Sequence, residues 1–272
     1  MVNEGRLKTA ESFSVLVPAF NEAQHVFEAI TRLLVVLEAI GIPFEVVVVS
    51  DGSTDETVSE ARRVDAPELT VIASEPRRGK GFALRRAWES CSGTYVAFLD
   101  ADLDLQPEGL RLLLELLRGS DRGDVAVGSK IHPDSKVVYP RFRRLQSRVF
   151  RFVVRARFDL DIGDTQTGMK VFRREVLDRV MPLLESDGFA FDLELLVFAH
   201  DQGFRIVEGP VDLDFGFSST TGTRAVWNVL SEMHRVALRR RQLRRTARQR
   251  GRTRGEVPVL PKPERGAADH RR

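Results

Sequence analysis

Five short apolar runs rich in β-branched residues dominate the first half of the sequence: Phe13 to Val17, Glu45 to Val49, Leu69 to Ala73, Thr94 to Leu99 and Asp124 to Gly128. Helical patterns lie between them. Val26, Ile30, Leu33, Leu37 and Ile40 recur at alternating spacings of four and three, and Gly41 follows as a suitable C-terminal stop. A second helix is expected after Ser53, with Glu56 three residues on completing a capping box. Strands alternating with helices predict βαβ units, and so an α/β fold with a mainly parallel sheet flanked by helices on both faces. Beyond about Pro133 the pattern changes to longer helices with few strands. No internal repeat is visible.

The 272 residues suit one large domain over residues 13–238, preceded by a segment 1–12 and followed by a basic tail 239–272. The tail's composition gives no reason to expect a core, so it is predicted to be disordered. The single cysteine, Cys91, excludes an intrachain disulfide framework and a Cys-rich zinc site. The first residues lack a cationic-then-apolar leader, and no run of eighteen apolar residues occurs. Neither a signal peptide nor a transmembrane helix is therefore expected, and with a single cysteine a reducing, cytoplasmic location is the expectation. The five histidines form no ligand pattern, and no serine has a readable His and Asp partner. The first strand runs into PAFNE, not G-x-G-x-x-G, which removes the turn a nicotinamide dehydrogenase needs.

Acids cluster just past the predicted strand ends: Glu22, then Asp51, then Asp100, Asp102 and Asp104. In an open parallel sheet the ligand crevice lies at that edge. Asp51 and Asp55 equally suit the start of a helix. Alternate residues of an extended segment point the same way, so the Asp-x-Asp-x-Asp run sets carboxylates side by side. Such a group calls for a hard divalent cation, Mg²⁺ or Mn²⁺, which commonly completes its octahedron with substrate phosphates. A nucleotide diphosphate is the natural partner. The segment RRGKGFALR offers Lys80 and turn amides to an anion, while Gly79 and Gly81 suit a tight turn equally well.

The ordered segments SVLVPAFNE, VVVVSDGSTDET, RRGKGFALR, YVAFLDADLDLQPE, VAVGSK, DTQTGMKVFRREV and FAFDLELL resemble glycosyltransferase family 2. More narrowly, they resemble the polyprenyl-phosphate (dolichyl-phosphate) glucosyl- and mannosyltransferases. That resemblance implies a GT-A nucleotide-diphospho-sugar fold and inverting transfer of a hexose, with UDP-glucose favoured over GDP-mannose as donor. It implies that Pro18, Phe20 and Glu22 line the nucleotide pocket and that Asp51 bonds the base. Asp100 and Asp102 would hold the metal and the diphosphate, with Asp104 beside them. Ser50 departs from the usual Asp-Asp pair, and Lys130 stands where an Arg often follows Gly-Ser. Asp192 lies where members with hydroxyl acceptors place an acidic base; a solvated helix start is the other reading of Asp192 and Glu194.

A polyprenyl phosphate is mostly dianionic at neutral pH and already a nucleophile. The protein needs cations to place it, and Lys130, Arg143, Lys170 and Arg224 are the candidates, with Asp164 and Gln166 organising the loop. The near-neutral charge of +3 divides unevenly: from Arg235 onward there are 14 basic and 3 acidic residues, leaving 28 against 36 before it. Residues 141–158 hold seven arginines and no acid, with Phe142, Leu145, Val149, Phe152, Val153 and Ala156 on one helical arc. An interfacial helix on an anionic membrane surface, or a core helix with a solvated basic face, fits this pattern. The tail suits anionic lipid as well, and no base-reading module argues for nucleic acid. Two other functions fit the same fold: transfer to a hydroxyl acceptor, and a non-catalytic module that binds anionic surfaces.

Overall fold

The computed structural model describes residues 10–102, 104–119, 123–136, 151–188, 190–213, 231 and 233–245. All five predicted strands form, as β1 (Phe13–Ala19), β2 (Phe44–Asp51), β3 (Leu69–Ser74), β4 (Tyr95–Phe98) and β5 (Val125–Ser129). Two more come later in the chain, β6 (Lys170–Arg173) and β7 (Ile206–Pro210), and the seven make one sheet in the order β3-β2-β1-β4-β6-β5-β7. β6 alone runs antiparallel to its neighbours. Its register pairs Lys170 with Phe98 and with Val127, so β6 begins at the edge where β4 and β5 end.

Side-chain alternation builds a core on each face. On one face Phe13, Val15, Val17, Val46 and Val48 meet Ile30, Leu33 and Leu37 of α1 (Val26–Ile40) and Leu110, Leu113 and Leu117 of α4 (Gly109–Arg118). α1 stops at Gly41, which takes the left-handed conformation, φ 74°. On the other face Leu16, Val47, Val49, Phe98 and Phe172 meet α3 (Lys80–Trp88), α6 (Arg174–Val180) and α7 (Ala190–Asp201). α7 is buried along ten successive residues, Ala190 to Ala199, as a helix covered on all sides must be.

α2 (Thr57–Arg62) begins differently from the expected capping box. Asp55, not Ser53, accepts the Thr57 N–H at 3.0 Å. Ser53 Oγ accepts instead from the Asn21 N–H and from Ser50 Oγ, tying the loop after β2 to the loop after β1. Residues 151–158 form α5. It buries Val154 and Phe158, four apart, and leaves Phe152 72% exposed and Ala156 exposed. Residues 233–245 form α8, which carries helix seven residues past the expected start of the tail. Arg240 makes a bidentate pair with Asp201 at the end of α7 at 2.6 and 2.7 Å, Arg244 adds a bond at 2.8 Å, and Arg239 pairs with Glu185 at 2.7 Å. Those three arginines face the body of the protein; residues 246–272 lie outside the described residues. Among the described residues no helix is long and apolar enough to cross a membrane.

Candidate active site

The ends of β1, β2 and β4 open on a cleft of about 300 Å³. Pro18, Phe20, Glu22, Asp51, Lys80, Asp100 and Asp102, the candidates for a donor site, all line it, together with Ala19, Arg77, Gly79, Ala83 and Ala101. Arg77 was not foreseen. Its guanidinium stacks over the Phe20 ring, 3.6 Å from the centroid, and makes a flat cationic wall at one end of the cleft.

Asp51 is almost fully buried, and its carboxylate accepts the backbone N–H groups of Arg78 and Gly79. The Gly81 N–H is bound to the Asp187 carbonyl at 2.7 Å. These three amides of the RRGKG turn are thus occupied, and Lys80 presents its ammonium. The glycines serve the turn itself. Gly79 has φ 125°, and a Cβ there would lie 2.4 Å from the Asp187 carbonyl oxygen. The loop carrying Asp187 is held in turn by Glu194, fully buried on α7, whose carboxylate accepts the Glu185 and Ser186 N–H groups at 3.2 and 2.9 Å.

Alternating charges run inward from the cleft. Lys80 Nζ lies 2.8 Å from Asp100 Oδ1 and 3.6 Å from Asp192 Oδ2, and Asp192 Oδ1 lies 2.7 Å from Lys170 Nζ. Burial works against the Lys80 charge, but Asp100 and Asp192 outweigh it and hold the ammonium well above its usual range. Burial likewise opposes the Asp192 charge, yet Lys170 and Lys80 together keep that carboxyl below its ordinary value. Asp192 and Glu194 are therefore not the solvated helix start that one reading allowed. Lys170, expected among the phosphate contacts, is fully buried and also donates to the Thr167 carbonyl. Its ammonium faces Asp192, not the open cleft.

Burial, then the neighbouring Asp100 charge, raises the Asp102 carboxyl; burial, then Asp102, raises Glu22. A site that already holds the Lys80 ammonium against Asp100 and crowds carboxylates beside it has the hard oxygen donors a Mg²⁺ or Mn²⁺ ion takes. Asp104 does not complete the trio. It is not among the cleft residues, burial raises its carboxyl although Lys130 pulls the other way, and among the described residues no three acidic, His or Cys side chains gather as a ligand set. Two carboxylates suit an ion that draws its other ligands from a diphosphate and water.

On the expected acceptor side, Lys130 follows the end of β5 and is partly exposed. Asp164 accepts the Gln166 N–H at 3.2 Å, which shapes the loop leading to β6. Ser129 Oγ, Thr165 Oγ1, Gln166 Nε2 and Thr167 Oγ1 are buried there without a partner among the described residues. Only the Asp-Thr-Gln run hinted at that polar group. Gly168 packs against Asp100, where a Cβ would meet the carboxylate. Arg143 and Arg224, like residues 141–150 of the basic segment, lie outside the described residues.

Comparison with known proteins agrees with this arrangement. The model for "Glycosyl transferase family 2" matches residues 14–181. The glycosyltransferase AglD of Haloferax volcanii is 36% identical over 204 residues, 73% of this chain and 32% of that protein. The dolichyl-phosphate beta-glucosyltransferase of Drosophila melanogaster is 35% identical over 69% of this chain and 62% of that protein, and the human one 32% over 72% and 64%. The chain thus spans about a third of AglD and just under two thirds of these glucosyltransferases. Among solved structures, M. tuberculosis glucosyl-3-phosphoglycerate synthase superposes with a TM-score of 0.63 over 82% of this chain and 81% of that one, at 22% identity. That likeness concerns the fold, the GT-A fold the strand-end motifs implied. With the motifs in order, the cleft at the strand ends and the family model spanning the sheet from β1 through α6, this chain belongs to glycosyl transferase family 2.

Proposed function

We propose that this chain catalyses inverting, metal-dependent transfer of a hexose from a nucleotide-sugar to a polyprenyl phosphate at a membrane surface, with UDP-glucose favoured over GDP-mannose. One observation carries the reading: seven residues taken from separate strand-end motifs share a single cleft that ends on the Asp100 and Asp102 carboxylates. Relatives named dolichyl-phosphate beta-glucosyltransferase support the acceptor, and solved structures of the M. tuberculosis synthase with Mn²⁺ and UDP-glucose support the donor and the metal. When bound at Asp100 and Asp102, Mg²⁺ or Mn²⁺ supplies neutralisation of the departing diphosphate.

In this reading Pro18, Phe20, Arg77 and Asp51 hold the nucleoside, and Lys80 meets the diphosphate. Lys130, Arg143 and Arg224 bring the acceptor phosphate to the sugar, where a phosphate oxygen bonds to the anomeric carbon as its bond to the diphosphate oxygen breaks. Alignment of the two reactants supplies much of the acceleration. A dianionic phosphate needs no proton removed. This suits Asp192, whose carboxyl is held below its ordinary value by two cations and is a poor proton acceptor. A phosphate acceptor is favoured over a hydroxyl for that reason. Lys170 contributes by fixing Asp192.

The acceptor's lipid chain calls for contact with a membrane, in this reading a peripheral position on its cytoplasmic face. Phe152, 72% exposed among Arg151, Arg155 and Arg157, has the character of an interfacial residue. The test is direct: purified protein with Mg²⁺ or Mn²⁺, a panel of sugar nucleotides and a prenyl phosphate, read by product mass. A glucosylated prenyl phosphate is expected from UDP-glucose. Failure to form any glycolipid would refute the proposal, and release of sugar onto hydroxyl acceptors alone would replace it.

A further inference from the structure

Lys80 stands at the meeting point of the cleft and the buried charges, and its surroundings demand movement. Its Nζ is 2.8 Å from Asp100 Oδ1. A divalent cation takes carboxylate oxygens at about 2.0–2.2 Å. Two cations on one carboxylate repel, so the ammonium and the metal compete for Asp100. The Lys80 backbone cannot yield, because Asp51 holds the Gly79 N–H on one side and the Asp187 carbonyl holds the Gly81 N–H on the other. The side chain can. It is a flexible stem bearing a compact charge, 28% exposed, and a second partner is already in reach at Asp192 Oδ2, 3.6 Å away. The other Asp192 oxygen is fixed by Lys170 at 2.7 Å, so the receiving carboxylate is rigid.

We propose that Lys80, which meets the diphosphate, also serves as the resident counter-ion of Asp100 and moves toward Asp192 and the arriving diphosphate when the divalent cation binds. This rests on the metal-dependent donor binding proposed above. A metal ion arriving alone has to displace an ammonium and remain near it, and so binds weakly. A nucleoside diphosphate brings oxygens that receive both cations. Lys80 thereby makes metal and nucleotide bind cooperatively, and the coupling is reciprocal.

The experiment titrates Mn²⁺ into the full chain, with free Mn²⁺ followed by electron paramagnetic resonance, in the absence and presence of saturating UDP or GDP. Wild type is compared with Lys80→Met, Lys80→Gln and the charge-keeping Lys80→Arg. In wild type, nucleotide should raise Mn²⁺ affinity by about tenfold or more. Both neutral variants should bind Mn²⁺ alone about tenfold more tightly than wild type and lose most of the nucleotide enhancement; Lys80→Arg should stay near wild type. A residue that merely supported the fold would weaken Mn²⁺ binding in every variant. In ¹⁵N-lysine-labelled wild type, the Lys80 Nζ resonance should move when Mg²⁺ is added without nucleotide, a readout that needs no variant. An unmoved resonance, or a folded neutral variant with unchanged or weaker Mn²⁺ affinity, overturns the hand-over while wild-type binding of Mn²⁺ and nucleotide still stands. A wild type that binds no Mn²⁺ with either nucleotide overturns the proposed function and the hand-over together.

Discussion

Breaking the buried Lys170–Asp192 pair is the sharpest test of the charge arrangement behind the cleft. The two side chains are 0% and 6% exposed and meet at 2.7 Å. At an effective dielectric of about 20, unit charges at that distance attract by about 6 kcal/mol, most of which offsets the loss of water around both ions. Removing one partner forfeits the attraction and leaves the other ion buried, at a cost of about 3–5 kcal/mol. Lys170→Met should fall at the low end, because Asp192 keeps Lys80 at 3.6 Å. Asp192→Asn should fall at the high end, because Lys170 then keeps only the Thr167 carbonyl. The double variant removes both charges and should lie within about 2 kcal/mol of wild type, so that single losses of about 3 and about 5 kcal/mol give a coupling of about 6 kcal/mol. Urea unfolding of the four proteins measures it. The pH dependence has a definite sign. Asp192 has its folded pKa below the ordinary 3.8, so its contribution is present above that value and fades as acid protonates it. The gap between wild type and Asp192→Asn should therefore close as pH falls below about 4. Single changes that simply add, within about 0.5 kcal/mol, would show that the two groups do not act as a pair.

Three further outcomes are expected. Gly79→Ala should lower stability by about 1–3 kcal/mol and weaken nucleotide binding, since the left-handed backbone and the Asp187 carbonyl at 2.4 Å leave no room for a methyl group; calorimetry with UDP and Mn²⁺ reads both. Arg240→Ala should cost about 1.5–3 kcal/mol by urea unfolding, as it removes a bidentate pair whose side chains are 12% and 9% exposed. Glu45 accepts from Ser14 Oγ, Ser92 Oγ and the Ser92 N–H; burial opposes its charge, but these bonds prevail and hold its carboxyl below 4.5. Glu45→Gln should therefore cost about 1–2 kcal/mol at pH 7, and the difference should vanish as pH falls through the lowered folded value.

The parts of the fold legible in the sequence are those set by local pattern. β1, β2, β4 and β5 are runs of mostly buried apolar residues and β3 is a partly buried one, and hydropathy alone finds them. β6 escaped because its four residues, Lys-Val-Phe-Arg, begin and end on charges whose partners lie elsewhere in the chain. Its antiparallel direction depends on how the intervening segment returns, which no short window records. The cleft was legible because each of its acids lies at or just past a strand end, and the edge of a parallel sheet gathers such residues. Arg77, Asp187 and Glu194 were not, since each acts through a contact made only after folding: a ring stacked beneath it, a glycine pressed against it, a loop held by it. The helical period of α5 is visible in the sequence, but the residues it buries are not those of the expected arc. Val154 and Phe158 turn inward to join the core that α7 and Met233, Val236 and Ala237 of α8 also build, and the second half of α8 was expected as tail.

The single reversed strand has an architectural consequence. Every parallel strand ends at the sheet edge that carries the cleft, whereas β6 begins there, bringing Gly168 against Asp100 and Lys170 against Asp192. The first wall, the cleft lining, is thus assembled from the segments that leave β1, β2, β3 and β4, and the segment that enters β6 packs Gly168 against Asp100. The stretch between β5 and β6 can lengthen, shorten or change character without disturbing the strands that carry the first wall. A chain built this way can exchange the molecule it modifies while keeping the molecule it draws from.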